Sequence, residues 1–244
     1  MNKFFILPIL LLLHFPVHAQ PDTIQTGQGE LIITPIQHGS LVLEYQGKTI
    51  YVDPYGGGKS YQEVKEPDLV LITDIHGDHL HEETLKALSL EKADFIVPAA
   101  VKEKLGEMEL SIPEPEVLAN GEQTSWEGIQ IEAIPMYNLP ETSDSRHPKG
   151  RGNGYVLSFD GTRVYISGDT EAIPEMRALK DIDVAFVPMN LPYTMDIQQA
   201  AEGVLAFAPE VIYPYHYKGS DVEAFKQKVE SQNPNIEVRL REWY

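Results

Sequence analysis

Apolar and polar positions alternate in short bursts from residue 31 onward. LIITPIQ (31–37), SLVLEY (40–45) and KTIYVD (48–53) each read as a strand, with turns at His38-Gly39 and Gln46-Gly47. DLVLIT (68–73) is a continuous β-branched run, the pattern of a buried central strand. Residues 81–92 place Leu85 and Leu88 at helical spacing, with Glu82 and Glu83 in the first turn, and predict a helix. A strand follows at 94–98, a helix at 99–107 and a strand at 128–135. Residues 154–169 read as a hairpin turned at Asp160-Gly161. Then come a helix over 173–179, a strand over 183–188, a helix over 196–207 capped by Asp196, a strand over 211–215, a helix over 221–231 and a strand over 236–241.

Two stretches lack a period. Residues 20–30 are polar and read as a loose leader. Residues 138–153 hold Pro140, Pro148, Gly150 and Gly152 and read as one long loop, a feature that in compact domains is commonly functional. Strands dominate the first third and α and β alternate afterwards, which predicts mixed sheets sandwiched between helices in a single domain over 20–244.

Charge and composition narrow the partners. A formal net charge of −18 disfavours nucleic acid polymers and anionic membrane surfaces and leaves small molecules and cations. Residues 1–19 carry Lys3, an apolar run from Phe4 to Phe15 and small residues ahead of Gln20, the layout of a cleavable signal peptide, so the expected location is periplasmic or secreted, with no membrane contact by the mature chain. The sequence has no Cys, so any metal must be held by His, Asp and Glu. It also lacks a G-x-S-x-G nucleophile signature.

The candidate chemistry concentrates in T73-D74-I75-H76-G77-D78-H79, where the buried strand runs out. A solvated turn with Asp78 capping the next helix is the plain alternative. Burying this many polar groups at a strand end without a cation is costly, which favours metal. His147 in the long loop, Asp169 in SGDT and His216 in YPYHY add potential ligands at strand ends or in that loop. His81 reads as a helix-cap residue. His38 at the first turn, Lys149 and Arg151 are further candidates, the last two as holders of an anionic substrate group. Tyr137, Asn138 and Tyr193 are candidate pocket walls.

In combination these motifs resemble the metallo-β-lactamase-fold hydrolases, within them the branch that includes ascorbate-phosphate lactonase. The motif T-D-I-H-G-D-H, His147 ahead of a Gly-rich turn, G168-D169-T170, His216 and YVDP (51–54) carry the likeness over about residues 31–241. The resemblance implies an α/β (α+β) fold, a four-layer αββα sandwich of two mixed β-sheets flanked by helices. It implies two divalent ions, Zn²⁺ or Mn²⁺ with iron as a third option. One would be held by Asp74, His76 and His147, the other by Asp78, His79 and His216, with Asp169 bridging. Asp78, His38 and Lys149 are the expected catalytic residues. The implied activity is hydrolysis of an ester, lactone or phosphoester in a small molecule by metal-activated water. A phosphodiesterase acting on nucleotides and an inactive metal-binding protein are the alternatives. Asp74 departs from the family pattern, which has His there. A carboxylate at that position is expected to favour manganese or iron, or to weaken zinc, and to add negative charge. That leaves a dinuclear centre with an altered first metal, favoured because His147 and Asp169 are present, or a centre filled only at the position of Asp78, His79 and His216.

Overall fold

The computed structural model describes residues 21–142 and 144–244. The leader expected over 1–19 lies outside them. No described helix is long and apolar enough to cross a membrane.

The strands form two seven-stranded sheets, each in sequential order. The first runs β1 (Asp22–Thr26), β2 (Gly29–Gln37), β3 (Ser40–Tyr45), β4 (Lys48–Val52), β5 (Leu69–Leu71), β6 (Asp94–Val97) and β7 (Glu116–Val117). The second runs β8 (Gln123–Trp126), β9 (Ile129–Met136), β10 (Gly152–Phe159), β11 (Thr162–Ile166), β12 (Val184–Pro188), β13 (Val211–Tyr215) and β14 (Glu237–Val238). Each sheet starts with four antiparallel strands and ends with parallel ones. The tight turns of the antiparallel parts are chemically specified. Gln46-Gly47 and Asp160-Gly161 take positive φ at both residues, as a twist-matched two-residue hairpin requires.

Side-chain alternation builds the layers. Leu41, Leu43, Ile50, Val52, Leu69 and Leu71 point inward to meet Ile131, Tyr155, Leu157, Val164, Phe186 and Tyr213 of the second sheet. The intervening residues face outward. Val42, Tyr51 and Val70 pack under α1 (Glu82–Ala87) and α2 (Ala99–Glu107). Val156, Tyr165, Ala185 and Ile212 pack under α3 (Pro174–Arg177), α4 (Ile197–Phe207) and α5 (Val222–Gln232). The result is the expected αββα sandwich. Strands buried on both faces read as continuous apolar runs, which is why 68–73 and 183–188 were legible.

Several expectations change. The loose leader expected over 20–30 gives way to strands: residues 22–26 form β1 and residues 29–30 open β2, because Ile24 packs against the inter-sheet core and Asp22 reaches Tyr213, Arg239 and Arg241. The helix expected over 81–92 ends at Ala87, since Leu88 turns to an extended conformation and Leu90 goes into the outer core. The last strand pairs only at Glu237–Val238. β7 and β8 are strands without an apolar period, both at sheet edges.

Candidate metal centre

The site lies where the parallel strands end, the position at which an open α/β sheet presents side chains on a rigid edge. Asp53 follows β4, Asp74 to His79 follow β5, Asp169 follows β11 and His216 follows β13. His38 sits in the β2–β3 turn and His147 in the loop before β10. Each half of the sandwich thus contributes to one edge.

Seven of the residues expected to hold metal form two adjoining groups. Asp78, His79, Asp169 and His216 offer ligand atoms within 4.8 Å of one another, and so do Asp74, His76 and His147. The groups touch: His147 Nε2 lies 3.3 Å from Asp169 Oδ2, while His79 Nε2 is 3.2 Å from the same oxygen. His216 Nε2 stands 3.3 Å from Asp169 Oδ1 and 3.4 Å from Asp78 Oδ2. Despite this crowding, His79 Nε2, His216 Nε2 and Asp169 Oδ1 are buried and make no hydrogen bond. Buried polar atoms are rarely left so. Three such atoms, two imidazole nitrogens and a carboxylate oxygen, converging on one point fit a cation bound there.

The electrostatics agree. Burial opposes charge on Asp169, yet His216 and His79 outweigh it and hold its carboxyl well below the usual range. Burial would likewise push His79 down, but Asp169 and Asp53 hold it well above the ordinary histidine value. The pocket favours positive charge strongly.

Outer contacts aim the rings. His79 Nδ1 is 2.7 Å from Asp53 Oδ2, a carboxylate that also accepts from Thr73 N and Thr73 Oγ1 at 2.7 and 2.6 Å. His147 Nδ1 is 3.0 Å from Asn138 Oδ1. Both arrangements hold an N–H on Nδ1 and turn Nε2 toward the site, where its lone pair would serve a metal that displaces the ring's second proton. Asp53 is a functional candidate missed in the motif reading. Its signal was the acidic residue in YVDP, on a turn with positive φ. Tyr244 was missed too: its hydroxyl lies 2.7 Å from His38 Nδ1, and His38 Nε2 lies 3.0 Å from Asp78 Oδ2. Tyr O–H donating to Nδ1 and Nε2–H donating to Asp78 satisfies all three groups. Burial pushes His38 down.

The cations are placed otherwise than expected. Lys149 is not at the cavity. Its ammonium lies 2.8 Å from Glu175, with Glu141 at 3.8 Å, because the loop lays it over the Tyr137 ring. Arg151 is also taken: its Nε and a terminal nitrogen donate to Asp74 Oδ1 and Oδ2, both at 3.1 Å. The negative charge expected from Asp74 is therefore offset. His81 caps α1, accepting from Thr84 N. The mouth, a cavity of about 310 Å³, is lined by His38, Asp78, Asp169, Tyr193, Arg146 and Lys218 among others. Arg146 lies over the Tyr193 ring, and neither it nor Lys218 makes an ion pair among the described residues.

Residues 32–216 match a family model described as the β-lactamase superfamily domain. A UPF0173 metal-dependent hydrolase of Methanopyrus kandleri is 30% identical over 227 residues, covering 86% of this chain and 96% of the relative. Among solved structures, a protein of Parabacteroides distasonis named as a candidate metal-dependent hydrolase is 42% identical, with a TM-score of 0.83 over 93% of this chain and all of that one (100%). Igni18, a metallo hydrolase of Ignicoccus hospitalis, is 27% identical with a TM-score of 0.72, covering 86% of this chain and 94% of its own.

Proposed function

Because the chain belongs to the β-lactamase superfamily and is a metal-dependent hydrolase of it, we propose that it uses metal-activated water to cleave an ester, lactone or phosphoester bond in a small anionic molecule. The observation that carries this reading is the convergence of His79 Nε2, His216 Nε2 and Asp169 Oδ1, buried and unpaired, on one point beside the cavity.

Asp78, His79, Asp169 and His216 would hold one divalent ion, and Asp74, His76 and His147 a second. Imidazole and carboxylate donors suit zinc, manganese or iron. A bound ion supplies Lewis acidity and brings the pKa of water to near neutrality. The chain's own groups do the rest. Asp53 and Asn138 keep the His79 and His147 rings aimed. Asp78, whose carboxyl is held far below its usual range by His216 and His38 against the effect of burial, stays anionic and orients water at the cavity floor. His38, fixed by Tyr244, keeps a proton on the Asp78 side. Arg146 and Lys218, at the mouth of a strongly acidic chain, supply the attraction for an anionic group. The cavity volume suits a small ligand. The leader makes a periplasmic or secreted location part of the same proposal, tested by cell fractionation and N-terminal sequencing.

A panel of lactones, carboxylic esters and bis-p-nitrophenyl phosphate, assayed with zinc and with manganese, tests the reading. His79→Ala and Asp169→Ala are expected to abolish turnover and lower metal content. Arg146→Ala and Lys218→Ala are expected to raise KM for anionic members and leave neutral ones unchanged. Turnover that survives chelation, or survives His79→Ala, overturns the proposal.

A further inference from the structure

The two ligand groups are built differently. In the group Asp78, His79, Asp169 and His216, three buried atoms lack a partner. In the group Asp74, His76 and His147, no side-chain atom is left so. Asp74 is fully buried, at 0% exposure, and both its oxygens are engaged. Arg151 grips Oδ1 and Oδ2 at 3.1 Å each, and His76 Nδ1 lies 2.7 Å from Oδ2. The clamp comes from the turn at Pro148 to Arg151, where Gly150 takes positive φ and the Arg151 N–H returns to the Pro148 carbonyl. Arg151 makes no other side-chain hydrogen bond among the described residues.

Charge and donor strength both follow. With the imidazoles neutral, as metal ligation requires, the group with Asp78 and Asp169 carries two negative charges. The other group carries one, cancelled by the guanidinium that touches it. A planar fork matched to both carboxylate oxygens is the strongest form of this contact, and it cannot be neutralised by deprotonation. A carboxylate so engaged is a poorer electron donor to a metal, and an incoming cation must settle beside a fixed positive charge. A first ion therefore gains more at Asp78, His79, Asp169 and His216.

We infer that Arg151 is a built-in counter-cation that sets the order and strength of metal loading: Asp78, His79, Asp169 and His216 fill first, and Asp74, His76 and His147 bind a second ion more weakly, by about tenfold or more. This rests on the metal-centre reading above.

Metal-free protein titrated with zinc chloride, followed by calorimetry and by equilibrium dialysis with elemental analysis, gives two stepwise constants. Wild type is expected to show a tight and a weak step. Arg151→Met removes the charge at similar length and is expected to tighten the second step about tenfold or more and the first step by clearly less. Asp74→Asn is expected to lose the second step alone. Asp74→His strands the guanidinium and is expected not to strengthen the second step, whereas Asp74→His combined with Arg151→Met is expected to do so. Two steps of equal strength in the wild type overturn the inference without any substitution, so a poorly folding variant does not shield it. A second step weakened by Arg151→Met also overturns it, because Arg151 would then be a prop that presents Asp74 to the ion. If no form takes up metal, the metal-centre reading falls and this one with it; uptake in the wrong order sinks only the role of Arg151.

Discussion

Asp53→Asn is the most informative single change in the outer contacts, because it preserves shape and alters one atom and one charge. Asp53 is fully buried and accepts from Thr73 N on Oδ1, and from Thr73 Oγ1 and His79 Nδ1 on Oδ2. An asparagine there has no good orientation. With its NH₂ toward His79, donor faces donor unless the ring proton moves to Nε2, which closes the lone pair meant for metal. With its NH₂ turned to Thr73, it opposes a backbone N–H at the 2.7 Å separation of the native pair. Removing such a partner of a metal-binding histidine commonly costs about 10–100-fold in metal affinity, or about 1.4–2.8 kcal/mol. The unmatched buried donor costs about 1–3 kcal/mol of stability besides. Competition against a chromophoric chelator reads the first quantity, and thermal melting of metal-free protein reads the second. Wild-type affinity for the tight equivalent in a folded Asp53→Asn protein would refute the view that Asp53 sets the His79 tautomer.

Other outcomes follow from the same geometry. Asp22 ties β1 to the far sheet through Tyr213 and Arg241, both at 2.5 Å, so Asp22→Asn is expected to lower stability by about 1–3 kcal/mol in denaturant titration. Burial raises the Asp22 carboxyl, but Tyr213, Arg241 and Arg239 outweigh it and the folded value lies below the ordinary 3.8. Its contribution is thus complete above that ordinary value and is lost as pH falls through the lower folded one; the wild-type advantage over Asp22→Asn should vanish across that acid window. At Gly154 a Cβ would sit 2.9 Å from the Ser167 carbonyl oxygen and 3.0 Å from that of Ile166, so Gly154→Ala must push β10 from β11. The expected loss is about 1–3 kcal/mol, read by melting, with reduced metal affinity because Asp169 lies just beyond Ser167. Tyr244→Phe removes the donor to His38 Nδ1 and is expected to lower kcat more than it weakens metal binding, a split that a purely structural hydroxyl would not produce.

The local pattern of this chain determined its strands, its turns and most of its site. Alternation specifies which face of a strand is apolar, and Gln46-Gly47 and Asp160-Gly161 specify where it folds back; these are nearest-neighbour properties. The metal-type residues were legible because His76, Asp78, His79, Asp169 and His216 all sit at strand ends, where the ladder delivers them to one edge. The edge strands β7 and β8 were not legible, since a strand with little buried area needs no apolar period. Tertiary structure alone decided pairings between distant residues. Lys149 and Arg151 are two positions apart in a loop and read alike, yet one goes to Glu175 and the other to the buried Asp74. Residues 20–30 read as a tail until Asp22 meets Arg241 across the sandwich. Residue type states what charge a side chain carries. Which opposite charge it meets depends on the chain's path through space, and no local sequence pattern encodes that.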